Sequence, residues 1–160
     1  MIKDKPLTTD LIGDKTVKTD EKIEFFGQVD ELSSFIMEFT HYVQDVSVKE
    51  YLKTIVKTLS GMMAEVAGGK GCVDQTTGQE LTDLANDYLE KSGGFSSFCL
   101  PGETLLGAKA HILRTIARRT ERAYARVYQK YGGSNCIFEY LNKLSTYFYA
   151  LAKILDSQDQ

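Results

Sequence analysis

The segment His111-Ile112-Leu113-Arg114-Thr115-Ile116-Ala117-Arg118-Arg119-Thr120-Glu121-Arg122 is the densest polar feature of the chain. On a helix, Arg114, Arg118 and Glu121 fall at i, i+4 and i+7 and share one face, while Arg119, Arg122 and Arg126 share a neighbouring one. Guanidinium groups one turn apart fork onto phosphate oxygens or carboxylates, a bidentate grip that Lys cannot make. A solvated helix laced with salt bridges uses the same residue types. Position favours an anionic partner: Arg114 and Arg118 flank an apolar stripe, where an unpaired charge is costly.

A carboxylate is available upstream. Asp30-Glu31 interrupts an apolar pattern between Val29 and Leu32. Asp30 lies four residues from Phe26, a stripe member, and is read as the interior partner; Glu31 is read as facing water. Near the C-terminal end, Asn142 sits on the polar side of another stripe, with Ser145 and Tyr149 on nearby faces. An Asn in mid-helix is more often incidental than functional and carries no weight alone. The loop 95–102 carries no charge and holds Phe95, Phe98, Leu100 and Pro101. It packs on its own protein or walls a large flat ligand.

The elements that position these residues read as helices. Ile23, Phe26, Val29, Leu32, Phe35, Ile36, Phe39 and Val43 recur at three and four, predicting a helix over about 20–46. A second stripe, Tyr51 to Val66, ends at Gly68-Gly69. A shorter helix is expected over about 79–91, a long one over about 103–131, and a last one over about 135–156. Residues 1–20 lack periodicity and are read as an irregular arm, leaving 21–160 as a single bundle domain. The fold class is all-α, a five-helix bundle.

Composition narrows function by exclusion. The chain has 160 residues, 42% hydrophobic and 26% charged, the make-up of one globular domain. Its net charge of -3, and the lack of aromatic residues interleaved with the arginines, argue against a nucleic-acid reader. No apolar run approaches the roughly 20 residues that span a bilayer, and the first residues show no leader-like apolar core. Cys72, Cys99 and Cys136 are scattered and form no C-x-x-C pair, so they read as reduced thiols in a cytoplasmic protein without a cysteine metal site.

Four blocks in order resemble one family. Phe98-Cys99-Leu100-Pro101-Gly102 is similar to its F-x-L-P-G-G, and Arg114 to Arg122 to its R-T-x-x-R-R-x-E-R. Tyr140-Leu141-Asn142-Lys143-Leu144-Ser145 is similar to Y-L-N-R-L-S-D, and Lys22 to Ser34 to R-V-E-A-Y-G-x-V-D-E-L-N-S. The chain thus resembles the PduO-type ATP:cob(I)alamin adenosyltransferases over residues 18–155. The resemblance implies a cobalamin adenosyltransferase-like five-helix bundle, a homotrimer and active sites between adjacent subunits. It implies transfer of the 5′-deoxyadenosyl group of ATP, supplied with Mg²⁺, to the cobalt of cob(I)alamin, releasing triphosphate.

By position, Arg118 and Asn142 are expected at ATP, with Thr8, Thr9 and Lys18 completing the nucleotide site. Arg114 is expected to pair with Asp30 and support catalysis, and Phe98 to line the corrin side. A corrinoid reductase and an adenosylcobalamin-dependent enzyme are the partners such chemistry implies. The family's Gly-rich nucleotide loop is altered here: Lys3 and Pro6 stand where glycines are expected, and Pro6 removes an N–H donor. Glu103, Ser33, Thr146 and Lys143 are further departures. They leave a second reading, a non-catalytic bundle that binds corrinoid, nucleotide or a protein partner.

Overall fold

Each of the five apolar stripes forms a helix in the computed structural model, which describes residues 7–71, 73–94 and 100–158. The helices are α1 (Glu21–Thr40), α2 (Val46–Val66), α3 (Gln75–Lys91), α4 (Leu105–Tyr131) and α5 (Asn135–Gln158). Side-chain caps set where the first four begin. Asp20, Asp45, Asp74 and Thr104 each accept a backbone N–H from the first turn that follows, satisfying donors that a helix start leaves orphaned.

Caps also explain where the periodicity misleads. Spacing alone carries the first helix to Val46, yet α1 stops at Thr40. The Asp45 carboxylate captures the N–H groups of Ser47 and Val48 and starts α2 at Val46. Val43 still reaches the core, but from the link. Likewise α3 begins at Gln75 rather than 79, because Asp74 caps it through Thr77.

α1 packs on α2 and α4, α4 on α5, and α5 on α3. Tyr51 of α2 meets Tyr147 of α5 edge-on at 5.4 Å, which closes the bundle. α5 is its centre, with Leu141, Leu144, Phe148 and Leu151 fully buried among Phe25, Leu32, Leu59 and Tyr124. One expected stripe member is not in the core: Phe35 is exposed, because its neighbour Ile36 takes the inward position.

The arm is not irregular throughout. β1 (Leu7–Thr9) and β2 (Lys15–Val17) pair antiparallel, with Thr8 opposite Thr16. The Asp10 carboxylate holds the connecting turn by accepting the N–H groups of Ile12 and Asp14. Where the arm meets α1, Asp20 accepts from Lys130 Nζ at 3.0 Å and from the Tyr131 hydroxyl. Burial opposes ionisation of Asp20, but these bonds outweigh it and hold its carboxyl below the ordinary range. No described helix is long and apolar enough to cross a membrane.

Leu141 is 0% exposed and Ile112 48% exposed. Leu141→Ala is expected to cost about 2–5 kcal/mol in urea unfolding, and Ile112→Ala less than about 0.5 kcal/mol.

Candidate functional site

α4 and α5 run side by side, and a small pair, Ser145-Thr146, faces the middle of α4. The result is an open groove of about 380 Å³ lined by Arg114, Arg118, Ser145, Thr146 and Tyr149. Both hydroxyls of the pair donate back to the Asn142 carbonyl, Ser145 at 2.8 Å and Thr146 at 3.4 Å. Asn142 itself is exposed and stands one turn before them on the same side of α5. The structure therefore brings Arg114 and Arg118 together, with Asn142 one turn beyond.

The neighbouring arginine is employed differently. Arg119 donates to Gln28 Oε1 at 2.7 Å and pairs with Glu31, tying α4 to α1. By contrast, Arg118 is exposed and makes no hydrogen bond or ion pair among the described residues. Arg114 is half-buried, and its Nε donates to His111 Nδ1 at 3.3 Å. The cost of burying an unpaired charge thus applies to Arg114; Arg118 is kept solvated. Burial first, and then the Arg114 charge, push His111 below its ordinary 6.5, against an upward pull from Asp156. The neutral ring is the form that accepts a hydrogen bond.

Asp30 corrects the interior reading. It is exposed, on the flank of α1 that carries Gly27 and Ser34, and Glu31 is the acid that faces α4. Spacing decides this, since Gln28, Glu31, Phe35 and Glu38 line the α4 side and Asp30 falls across from them. Arg114 lies on the far flank of α4, towards α5, so one chain does not join it to Asp30.

The arm is also distant along the bundle. Its base is pinned by Asp20 to Lys130, twelve residues beyond Arg118 and about 18 Å away at about 1.5 Å per residue. No hydrogen bond among the described residues links Thr8, Thr9 or Lys18 to the groove. Phe98, with Phe95, Cys72 and Cys99, lies outside the described residues.

α5 also holds the approach to α4. Asp156 accepts from the N–H of Gly102 at 3.2 Å, the N–H of Thr104 at 3.1 Å and the Thr104 hydroxyl at 2.7 Å. Gly102 has φ 81, a conformation open to Gly, and a Cβ at Gly107 would meet Asp156 Oδ1 at 1.8 Å. Lys153 Nζ donates to the Gly94 carbonyl. Sequence reasoning missed Asp156, for which there is no local signal. It also gave no role to His111, although the i, i+3 spacing to Arg114 pointed to one.

With this geometry in hand, the likeness to known proteins is specific. The family model described as cobalamin adenosyltransferase matches residues 3–155. The chain belongs to the cobalamin adenosyltransferase family. It is 28% identical over 158 residues to the corrinoid adenosyltransferase of Bacillus subtilis, covering 94% of this chain and 82% of that one. It is 30% identical over 146 residues to the cobalamin adenosyltransferase of Cupriavidus metallidurans, covering 90% and 79%. The fold matches that of a PduO-type ATP:corrinoid adenosyltransferase variant from Lactobacillus reuteri, complexed with cobalamin and ATP. That match has TM-score 0.85 and 24% identity and covers 96% of this chain and 90% of that one.

The departures from the adenosyltransferase blocks fall in different places. Lys143 leans on α3, where a Cβ on Gly78 would touch its Cδ at 3.1 Å, so it points away from the groove. Glu103 is exposed. Thr146, in contrast, lines the groove.

Asp156→Ala would strand two backbone donors and remove a hydroxyl's acceptor. The expected cost is about 1–3 kcal/mol in thermal or urea unfolding, and a loss below about 0.5 kcal/mol would count against the clamp.

Proposed function

We propose that this chain is a corrinoid adenosyltransferase. ATP and a cob(I) corrinoid are its substrates; the cobalt attacks the ribose 5′ carbon, a Co–C bond forms, the C5′–O bond breaks, and triphosphate leaves. Cobalt is the nucleophile, so the protein's work is to grip and align the leaving group and to keep water from the metal. Arg118 carries the reading: an arginine with no partner among the described residues, on a groove wall beside a second guanidinium, within a chain of this family.

In this reading Arg118 and Asn142 hold the triphosphate end, and Thr8, Thr9 and Lys18 complete the nucleotide site from the arm. Phe98 gives the corrin an apolar wall, which keeps water off cobalt and eases its reduction. Among the described residues no three His, Cys, Asp or Glu side chains are grouped to hold a metal ion. Mg²⁺ would enter with ATP and offset its phosphate charge, and no step here runs through it.

The assembly in this reading is a homotrimer with sites between copies. Asp30 and Arg114 sit on flanks that one chain keeps apart, and each is free to meet the other across an interface. The arm of one copy likewise reaches the groove of the next. Exposed Phe35 and Ile112, which line a shallow cleft between α1 and α4, supply apolar surface for such contacts. The cytoplasm, a corrinoid reductase and an adenosylcobalamin-dependent enzyme form the setting this chemistry needs.

Under anaerobic conditions with a strong reductant, cobalamin and MgATP, the cob(I) absorbance is expected to fall as adenosylcobalamin forms. Arg118→Ala is expected to slow this about 10–100-fold, the worth of one charge-assisted phosphate contact. A rate equal to wild type removes Arg118 from the role, and binding without turnover returns the non-catalytic reading. For the assembly, Asp30→Arg and Arg114→Asp are each expected to be nearly inactive, and refolding them together to restore a substantial fraction of the rate. No recovery on mixing overturns the pairing between copies.

A further inference from the structure

We propose that His111 is a positioning residue for this reaction: its Nδ1 holds Arg114 by Nε, so that both terminal nitrogens of the guanidinium remain for the groove. The inference rests on the adenosyltransferase reading and adds to it a residue with no role in the sequence blocks.

The geometry has three parts. His111 lies one turn before Arg114 on α4 and takes the Nε–H at 3.3 Å. That choice of donor matters, because a guanidinium bound by Nε keeps its two-pronged end for a carboxylate or phosphate. The imidazole is itself fixed, standing edge-on to the Tyr149 ring at 6.2 Å and 70°. Tyr149 also lines the groove, so ring, guanidinium and groove wall form one packed unit. An Arg side chain left free would spend rotamer entropy on each binding event; one already held loses less.

The contact also has a protonation requirement. Nδ1 accepts only while its lone pair is free, which puts the single proton of the neutral ring on Nε2. The groups facing the ring are Arg114 on α4, with Tyr149 and Asp156 on α5. Burial and Arg114 favour the neutral ring; Asp156 alone opposes them. Protonation, which these groups push to lower pH than in an ordinary histidine, makes Nδ1 a donor aimed at a cation, and Arg114 is released.

Two variants separate positioning from mere packing. His111→Asn keeps an acceptor at the δ position and does not titrate; His111→Phe keeps the ring against Tyr149 and has no acceptor. His111→Phe is expected to lower kcat about tenfold or more with unchanged thermal midpoint. His111→Asn is expected to stay within about threefold of wild type and to lose the acid limb that protonation of His111 gives the kcat–pH profile. Equal kcat in wild type and His111→Phe, or a profile unchanged in His111→Asn, overturns the inference. Nitrogen-15 NMR reads the contact without turnover: His111 is expected to carry its proton on Nε2, with exposed His41 as the only other histidine signal. A proton on Nδ1 overturns the inference as well. A wild-type protein that shows the Nε2 form yet makes no adenosylcobalamin sinks the adenosyltransferase reading instead.

Discussion

Two guanidinium groups one turn apart, with no carboxylate to neutralise either within the described chain, are the constraint on which the rest depends. Arg119 shows that the fold can supply an acid where it needs a strut: Glu31, helped by the Gln28 amide, meets it from α1. Arg114 and Arg118 receive none. Half-buried Arg114 has a neutral imidazole as its partner, which removes a donor from solvent and leaves the charge in place. A positive field held open at a groove wall is what a departing triphosphate requires, since charge accumulates on that group as its bond to carbon breaks. Preorganised cations of this kind cost little at the moment of reaction because they do not have to move.

The scaffold serves this arrangement by placing the pair on a helix supported from two sides. α4 lies between α1 and α5, so its axis is fixed from two sides and its start is capped through Asp156. Rigidity at α4 and openness in the groove come from different residues: large buried side chains on one flank, Ser145 and Thr146 on the other. In the proposed assembly a single chain is an incomplete site. Its N-terminal arm is fastened to the far end of α4 by Asp20 and Lys130, and the exposed Asp30 looks away from Arg114.

Much of this was legible in the amino-acid order. Five amphipathic stripes predicted five helices, and the Arg-rich segment singled out the middle of α4. The errors have physical causes. Val43 continued the α1 spacing, but the Asp45 cap was a stronger local signal than one more apolar residue. Adjacent acids at 30 and 31 could not be assigned to faces without knowing which neighbour α1 packs against: Asp30 is exposed, and Glu31, still partly in solvent, meets Arg119. The strand pair of the arm escaped notice because its runs are only three residues long. Asp156 acts across more than fifty positions on the backbone of Gly102 and Thr104, a contact that periodicity does not encode.

The central claim is that Arg118, at the wall of this groove, recognises a polyphosphate, and inorganic triphosphate tests it without corrinoid, reductant or turnover. Calorimetric titration of the assembled protein should show triphosphate binding that ATP displaces and that weakens sharply in Arg118→Ala. Equal affinity in the two proteins, or triphosphate that binds without competing with ATP, would contradict it.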